Sequence, residues 1–233
     1  MRPSLSTMRM SWHDLLFAHW RVPVEGVRRL VPSALDLDLY GGEAYVAVVP
    51  FRMTRVGPTW LPPLPGVHAF EELNVRTYVV HRGRPGVWFF SLDAANALAV
   101  RTARRFFHLP YFDAAMACRP DGDGIAYESV RTHRGAPPAA LSVRYRPTSA
   151  PYASRPGDLD HWLTERYALY AADPAGRVGR VDIEHVPWPL QRADADFGPN
   201  TMGLSLGWPF LEPPTCLHFA RRLDVVSGPL VFA

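Results

Sequence analysis

Residues 70–111 read FEELNVRTYVVHRGRPGVWFFSLDAANALAVRTARRFFHLPY, and this stretch decides the fold. Over 70–82 the side chains alternate with a period of two, which is typical of a β-strand. The turn GRPG at 83–86 leads into a second strand over 87–92. The spacing then becomes helical over about 94–107. The stretch therefore predicts a β-hairpin followed by a helix.

The first of these strands has an apolar and a polar face. The apolar face comprises Leu73, Val75, Thr77 and Val79, and the polar face comprises Glu72, Asn74, Arg76 and Tyr78. Strand residues four positions apart are separated by about 13 Å, so Glu72 and Arg76 do not pair directly and both point towards whatever covers that face. If solvent covers it, the strand face is an ordinary exposed one. If it lines a barrel interior, an enclosed carboxyl and guanidinium form a site.

The predicted helix has Asp93 as its expected N-cap, and it carries a basic face. This face comprises Arg101, Arg104, Arg105 and His108. A solvated stripe is one interpretation of the face. The other is that the helix end, stopped by Pro110 beside Tyr111, borders a cavity.

The rest of the chain is richer in strands than in helices. Strands are predicted over 35–40, 44–51, 111–119, 124–133, 139–146, 177–186 and 215–226. Short helices are predicted over 23–30 and from Asp158, as N-cap, to Tyr167. A Pro-rich loop is predicted over 57–69. Because most connections are short turns, we expect one domain over 1–233 with a β-rich α+β fold, an antiparallel β-barrel or cone with flanking helices.

The amino-acid composition limits the reactions and the partners that are open to this protein. The 233 residues include 25 basic side chains, all of them arginine, and the formal net charge is +3. Without lysine, no side-chain amine can form a Schiff base. The arginines form no run of five or six, so a nucleic-acid partner has no support.

Several familiar motifs are missing from the sequence. It contains no G-x-S-x-G, HExxH or phosphate-loop motif, and its two cysteines have no metal-ligand spacing, so we expect neither a metal nor another cofactor. The start lacks the apolar region of a signal peptide, and no stretch of 18 apolar residues occurs. We therefore expect a cytoplasmic protein with no membrane partner. The oligomeric state stays open, a homo-oligomer included.

A series of motifs resembles the bacterial YqjF-like family, also called DUF2071, in order and over nearly the whole chain. The motifs are FEELNVRTYV (70–79), GVWFFSLDA (86–94), AR (103–104), LPY (109–111), LTERY (163–167), HVPWPL (185–190), PP (213–214) and LHF (217–219). That family is in turn similar to acetoacetate decarboxylase. The second resemblance implies an antiparallel barrel or cone with an internal pocket.

The resemblance to the decarboxylase extends to individual positions. Glu72 stands where that enzyme has a strand glutamate, Arg104 where it has a helix arginine, and Pro110 where it has a proline. The two lysines that follow the proline in the enzyme, the first of them the nucleophile, are replaced here by Tyr111 and Phe112. Tyrosine cannot form an imine, but it can donate a hydrogen bond or exchange a proton. Imine-dependent decarboxylation by a side chain is therefore excluded.

The leading hypothesis is a small-molecule site inside the barrel, with Glu72 as base and Tyr111 as acid. Arg76, Arg104 and His108 are predicted to line or support it and to bind the substrate. Arginine suits a carboxylate, so the expected ligand is a small organic acid or carbonyl compound. Two alternatives stay open: a non-catalytic binding or sensing protein, and a structural protein whose barrel is filled by side chains. The sequence does not decide whether the protein is an enzyme.

Overall fold

The computed structural model describes residues 7–62 and 68–232. The strands in these ranges are β1 (Met8–Val22), β2 (Asp36–Leu37), β3 (Ala44–Pro58), β4 (Phe70–His81), β5 (Arg84–Ala94), β6 (Tyr111–Asp121), β7 (Gly124–Arg131), β8 (Ala140–Pro147), β9 (Ala168–Ala172), β10 (Val178–Glu184), β11 (Gln191–Asn200), β12 (Cys216–Ser227) and β13 (Val231–Phe232). The helices are α1 (Val24–Arg28), α2 (Ala97–Phe107) and α3 (Leu159–Thr164), with a 3₁₀ turn at Leu204–Leu206.

Hydrogen bonds close the described strands into two rings that share β12, β1, β3, β4 and β5. In the larger ring, β6, β7, β8 and β11 lead from β5 back to β12, which gives a nine-strand barrel. In the smaller ring, β9 and β10 make the same connection. Strand β5 pairs in parallel with β6 and β9, and the other pairs are antiparallel. The predicted β-rich barrel is confirmed.

The hairpin and helix predicted over residues 70–107 are present. Strands β4 and β5 pair antiparallel, and α2 follows. Asp93 is not the N-cap, because β5 continues past it and its buried carboxylate pairs with Arg131 at 2.7 Å. Asn96 caps α2 instead, and its side chain accepts hydrogen bonds from the backbone N–H groups of Leu98 and Ala99.

Other predicted boundaries also change. Strand β3 runs beyond residue 51 into the predicted Pro-rich loop, of which residues 63–67 lie outside the described residues. The strand predicted over 35–40 shrinks to β2, and β9 and β11 were not predicted. Helix α3 is shorter than predicted, and Asp158 makes no side-chain capping bond.

Both faces of β4 are covered by protein. The apolar side chains Leu73, Val75 and Val79 belong to the core that fills the nine-strand ring. The side chains of Glu72, Asn74 and Arg76 point into the smaller ring, where they line a cavity. The exposed-face interpretation is therefore wrong. In the part of the chain that the structure describes, no helix is both long and apolar enough to cross a membrane.

Candidate functional site

The smaller ring encloses a cavity of about 400 Å³. Its walls come from eight strands (β1, β3, β4, β5, β6, β9, β10 and β12) and from one face of α2, and most lining side chains are apolar. The apolar aromatic ones are Trp12, Phe51, Phe70, Phe89, Phe107 and Trp188. A cavity of this size and character is typical of small-molecule sites.

The cavity opens at the end where α2 begins. Antiparallel pairing brings the starts of β1 and β4 together with the ends of β3 and β5. Leu98 of α2 lines the cavity and is 56% exposed, so the lining reaches solvent here. At the other end Thr164 and Arg166, which follow α3, complete the lining. The cavity therefore has a mouth at α2 and a floor beside α3.

Three polar side chains follow one another from mouth to floor along β4: Glu72, Asn74 and Arg76. Their alternate spacing puts all three on the inner face. Of the described residues, Glu72 is the one acidic side chain that lines the cavity. The polar groups therefore form a line in a mainly apolar chamber.

Glu72 and Tyr111 meet in this cavity, although 39 residues separate them in the chain. The Tyr111 hydroxyl donates a hydrogen bond to Oε2 of Glu72 at 2.7 Å, and Glu72 is only 4% exposed. The parallel pairing of β5 with β6 makes this contact, because it places Tyr111 beside Leu92. The two segments that carry Glu72 and Tyr111 thus converge on one cavity, with Tyr111 as the hydrogen-bond partner of Glu72.

Burial controls how the pair titrates. It raises the pKa of Glu72 to about 7, and the hydrogen bond from Tyr111 partly opposes the rise. Burial and the adjacent Glu72 raise the pKa of Tyr111 well above its ordinary value. Tyr111 therefore stays protonated and donates its hydrogen bond at neutral pH, where both protonation states of Glu72 are populated. The acid role expected of Tyr111 stays a prediction.

Arg76 is a cation near the floor without an anionic partner. None of the ion pairs within the described residues includes it, and its Nε is buried without a hydrogen-bond partner. Its guanidinium lies over the Phe17 ring, 5.2 Å from the centroid. Burial lowers the pKa of Arg76. A buried charge without a partner is costly, so this end of the cavity favours an anion.

Arg166 and His185 also line the cavity, and the sequence analysis did not single them out. Arg166 pairs with Asp38 and lies against the rings of Trp162 and Tyr78, at 4.6 and 5.0 Å from their centroids. The Nδ1–H of His185 donates to the Val186 carbonyl at 2.7 Å, and burial lowers the pKa of its ring. Both residues lie in motifs that matched the family, the one signal that pointed to them.

Arg104 and His108, the other residues predicted to line or support the site and to bind the substrate, do not line the cavity. Helix α2 turns its small side chains, Ala99, Thr102 and Ala103, inward, and the basic face lies outside. Arg104 is exposed, and its guanidinium donates a hydrogen bond to the backbone carbonyl of Tyr111 at 2.7 Å. It therefore contacts the backbone of a site residue from outside the cavity. His108 ends α2 in a left-handed conformation, with φ of 52°.

No group of three or more metal-ligating side chains within residues 7–62 and 68–232 is arranged to hold a metal ion. The polar groups that line the cavity differ along its length. One end can pair with an anion, and the middle can exchange a proton.

The amino-acid sequence is similar to those of a known protein family. Residues 9–224 match the model of the DUF2071 family, described as an uncharacterized conserved protein. The chain is 47% identical over 223 residues to the uncharacterized protein YqjF of Bacillus subtilis (strain 168), covering 96% of this chain and 91% of the relative.

Solved structures share the fold at low sequence identity. Acetoacetate decarboxylase from Legionella pneumophila superposes with a TM-score of 0.65 at 11% identity, covering 97% of this chain and 87% of that one. An acetoacetate decarboxylase-like enzyme from Sphingomonas wittichii gives a TM-score of 0.63 at 14% identity, covering 98% and 93%. The enduracididine biosynthesis enzyme MppR, complexed with the condensation product of pyruvate and imidazole 4-carboxaldehyde, gives 0.60 at 14%, covering 96% and 87%.

Proposed function

Because this chain belongs to the DUF2071 family and has the fold of acetoacetate decarboxylase-like proteins, we propose that its cavity carries out acid/base chemistry on a small organic acid that contains a carbonyl group. The observation that carries the proposal is the line of polar groups on β4. It combines Glu72, whose pKa lies near 7, with Arg76, which forms no ion pair with any residue that the structure describes.

Binding begins at the floor. The Arg76 guanidinium accepts the ligand carboxylate through charge-assisted hydrogen bonds, which are stronger than neutral ones. Nε of Arg76 is buried without a hydrogen-bond partner among the described residues, so an oxygen of the ligand carboxylate would accept its hydrogen bond. The carboxylate fixes one end of the ligand at Arg76, and its carbonyl and the adjacent carbon extend along β4 towards Glu72.

The proton transfer follows from the pKa of Glu72. Near neutral pH both its protonation states are populated, the condition under which a carboxyl is most effective as a general acid and base. The carboxylate removes a proton from the carbon next to the carbonyl, the C–H electron pair forms the C=C bond of an enolate, and the carbonyl π electrons move onto the carbonyl oxygen. Glu72 can then return its proton to carbon. The hydrogen bond from Tyr111 holds the carboxyl in place.

Deuterium exchange tests this proposal. The protons next to the carbonyl of 2-oxobutanoate and of phenylpyruvate are followed by NMR in D₂O, with and without the protein. Acid/base catalysis contributes about 10² to 10⁴ in rate, so we expect Glu72→Gln to slow the catalysed exchange by at least about 100-fold. The exposed Glu128 supplies the control variant, Glu128→Gln, which should exchange at the wild-type rate.

Two results would contradict the proposal. If wild-type protein binds these acids without accelerating exchange, the cavity is a binding or sensing site rather than a catalytic one. If Glu72→Gln exchanges as fast as wild type, another group carries the proton.

A further inference from the structure

The lining of the cavity narrows the substrate class. We infer that the ligand is a monocarboxylate with an apolar substituent about the size of an aromatic ring, held with its carboxylate between Arg76 and Arg166 and its substituent towards the mouth. This inference rests on the proposed function and specifies the substrate of the same site.

The charges at the floor favour one carboxylate. Arg76 and Arg166 both lie there, but Arg166 is already paired with Asp38. One positive charge therefore remains to be neutralised. A second carboxylate would lie nearer the mouth, where Glu72 is the neighbouring acid and the walls are apolar, and an unpaired charge there is strongly disfavoured.

Both arginines offer an unused donor. Nε of Arg76 and Nη2 of Arg166 are buried and lack hydrogen-bond partners among the described residues. The charge of Arg166 also contributes to lowering the pKa of Arg76, as expected for neighbouring cations. Two like charges held together with free donors are stabilised by an anion between them. Arg166 is thus a second anchor for the carboxylate.

The walls between Glu72 and the mouth favour an apolar substituent. Trp12 lies edge-on to Phe51 at 5.7 Å and stacked on Trp188 at 5.7 Å, and all three line the cavity. Phe70, one inner-face position nearer the mouth than Glu72, continues this wall. Aromatic groups prefer such stacked and edge-to-face neighbours, whereas a methyl group would leave the space unfilled.

Titration calorimetry on the full chain tests the inference with three probes: pyruvate, phenylpyruvate and 2-oxoglutarate. We expect phenylpyruvate to bind at least about tenfold more tightly than pyruvate, since an aromatic ring buries much more apolar area than a methyl group. We expect no measurable binding of 2-oxoglutarate. Arg166→Lys, which keeps the charge beside Asp38 but removes the planar donor set, should weaken both monocarboxylates.

Two substitutions on α2 separate size selection from a general loss of structure. Ala99 lines the cavity near the mouth, whereas Ala97 is exposed on the same helix. Ala99→Phe should weaken phenylpyruvate binding at least tenfold and weaken pyruvate binding by a much smaller factor. Ala97→Phe should leave both unchanged, and thermal unfolding of each variant verifies folding.

The outcomes distinguish the inference from the proposed function. If pyruvate binds as tightly as phenylpyruvate, if 2-oxoglutarate binds, or if Ala97→Phe acts like Ala99→Phe, the substrate class is wrong while the oxo-acid site stands. If no oxo acid binds to wild-type protein, the proposed function itself is wrong.

Discussion

The side chain of Glu72 has surroundings unlike those of an ordinary, solvent-exposed glutamate. It is buried in a mainly apolar chamber and has a neutral tyrosine, not a cation, as its hydrogen-bond partner. The period-two pattern placed it on the polar face of β4, whose cover the pattern left open, and its titration depends on neighbours that are distant in sequence. Its position could therefore be predicted from sequence, and its raised pKa could not.

The pH dependence of stability tests the titration of Glu72. Its pKa is about 7 in the folded protein and near 4.5 ordinarily, so between these values the unfolded chain loses a proton that the folded one keeps. The free energy of unfolding therefore falls as pH rises from about 4.5 to 7, by about 3 kcal/mol for this group, and stays at the lower level above pH 7. Glu72→Gln should remove this fall.

The measurement is urea unfolding of both proteins at pH 5 and pH 8. The stability gained by the variant relative to wild type should be about 2 to 3 kcal/mol larger at pH 8. Glu128→Gln, at an exposed position, should follow the wild-type curve. An equal difference between wild type and Glu72→Gln at the two pH values would mean that Glu72 has an ordinary pKa.

Tyr111→Phe tests the hydrogen bond to Glu72. That bond lowers the pKa of Glu72 against the larger effect of burial, so its loss should raise the pKa above about 7. The carboxyl resonance in protein labelled with ¹³C-glutamate reports the titration. Tyr167→Phe removes a comparable tyrosine–glutamate bond, to Glu165, and should leave the Glu72 pKa unchanged. A fall of the Glu72 pKa in Tyr111→Phe would contradict the assignment.

At the scale of elements, local pattern predicted the hairpin of β4 and β5, helix α2 and the three strands after it. Strand β9 was missed because ALYAA is short and lacks alternation, and its neighbours β5 and β10 make it a strand. Strand β11, QRADADFGPN, contains glycine, proline and several charges, and pairing with β8 overrides these preferences. Tertiary contacts therefore decide the elements whose own sequences are ambiguous.

The two helix N-caps provide a matched test. Asn96 accepts two backbone N–H bonds at the start of α2, whereas Asp158 makes no side-chain capping bond at the start of α3. Asn96→Ala should lower the free energy of unfolding by about 1 kcal/mol. Asp158→Ala should lower it by much less, since it removes no capping bond. Equal losses in urea unfolding would show that the capping bonds to Asn96 do not stabilise α2.

At the scale of the whole molecule, ring closure creates the site. The cavity exists because β9 and β10 connect β5 to β12, and the parallel pairing of β5 with β6 brings Tyr111 to Glu72. Such long-range contacts leave no periodic trace in the sequence. The family resemblance gave Tyr111 its predicted role, the basic pattern of α2 left open whether Arg104 faces solvent or the cavity, and no pattern indicated that Arg166 lines it.

Because the sequence contains no lysine, we expect no side chain of the molecule to form an imine with a ketone. Borohydride treatment in the presence of acetoacetate should leave no reduced adduct on any side chain, because imine formation requires an amine. Peptide mass spectrometry locates any adduct, and carbon dioxide release should equal that of the protein-free reaction. A side-chain adduct would refute this account of the chemistry.

A crystal structure of the protein with phenylpyruvate tests the central claim most directly, namely that one interior cavity holds an anion anchor and a proton-exchanging carboxyl. The account predicts the ligand inside the smaller ring, its carboxylate within hydrogen-bonding distance of Arg76 and the carbon next to its carbonyl against Glu72. Ligand bound only on the outer surface, or inside the ring with its carboxylate away from Arg76, would contradict it.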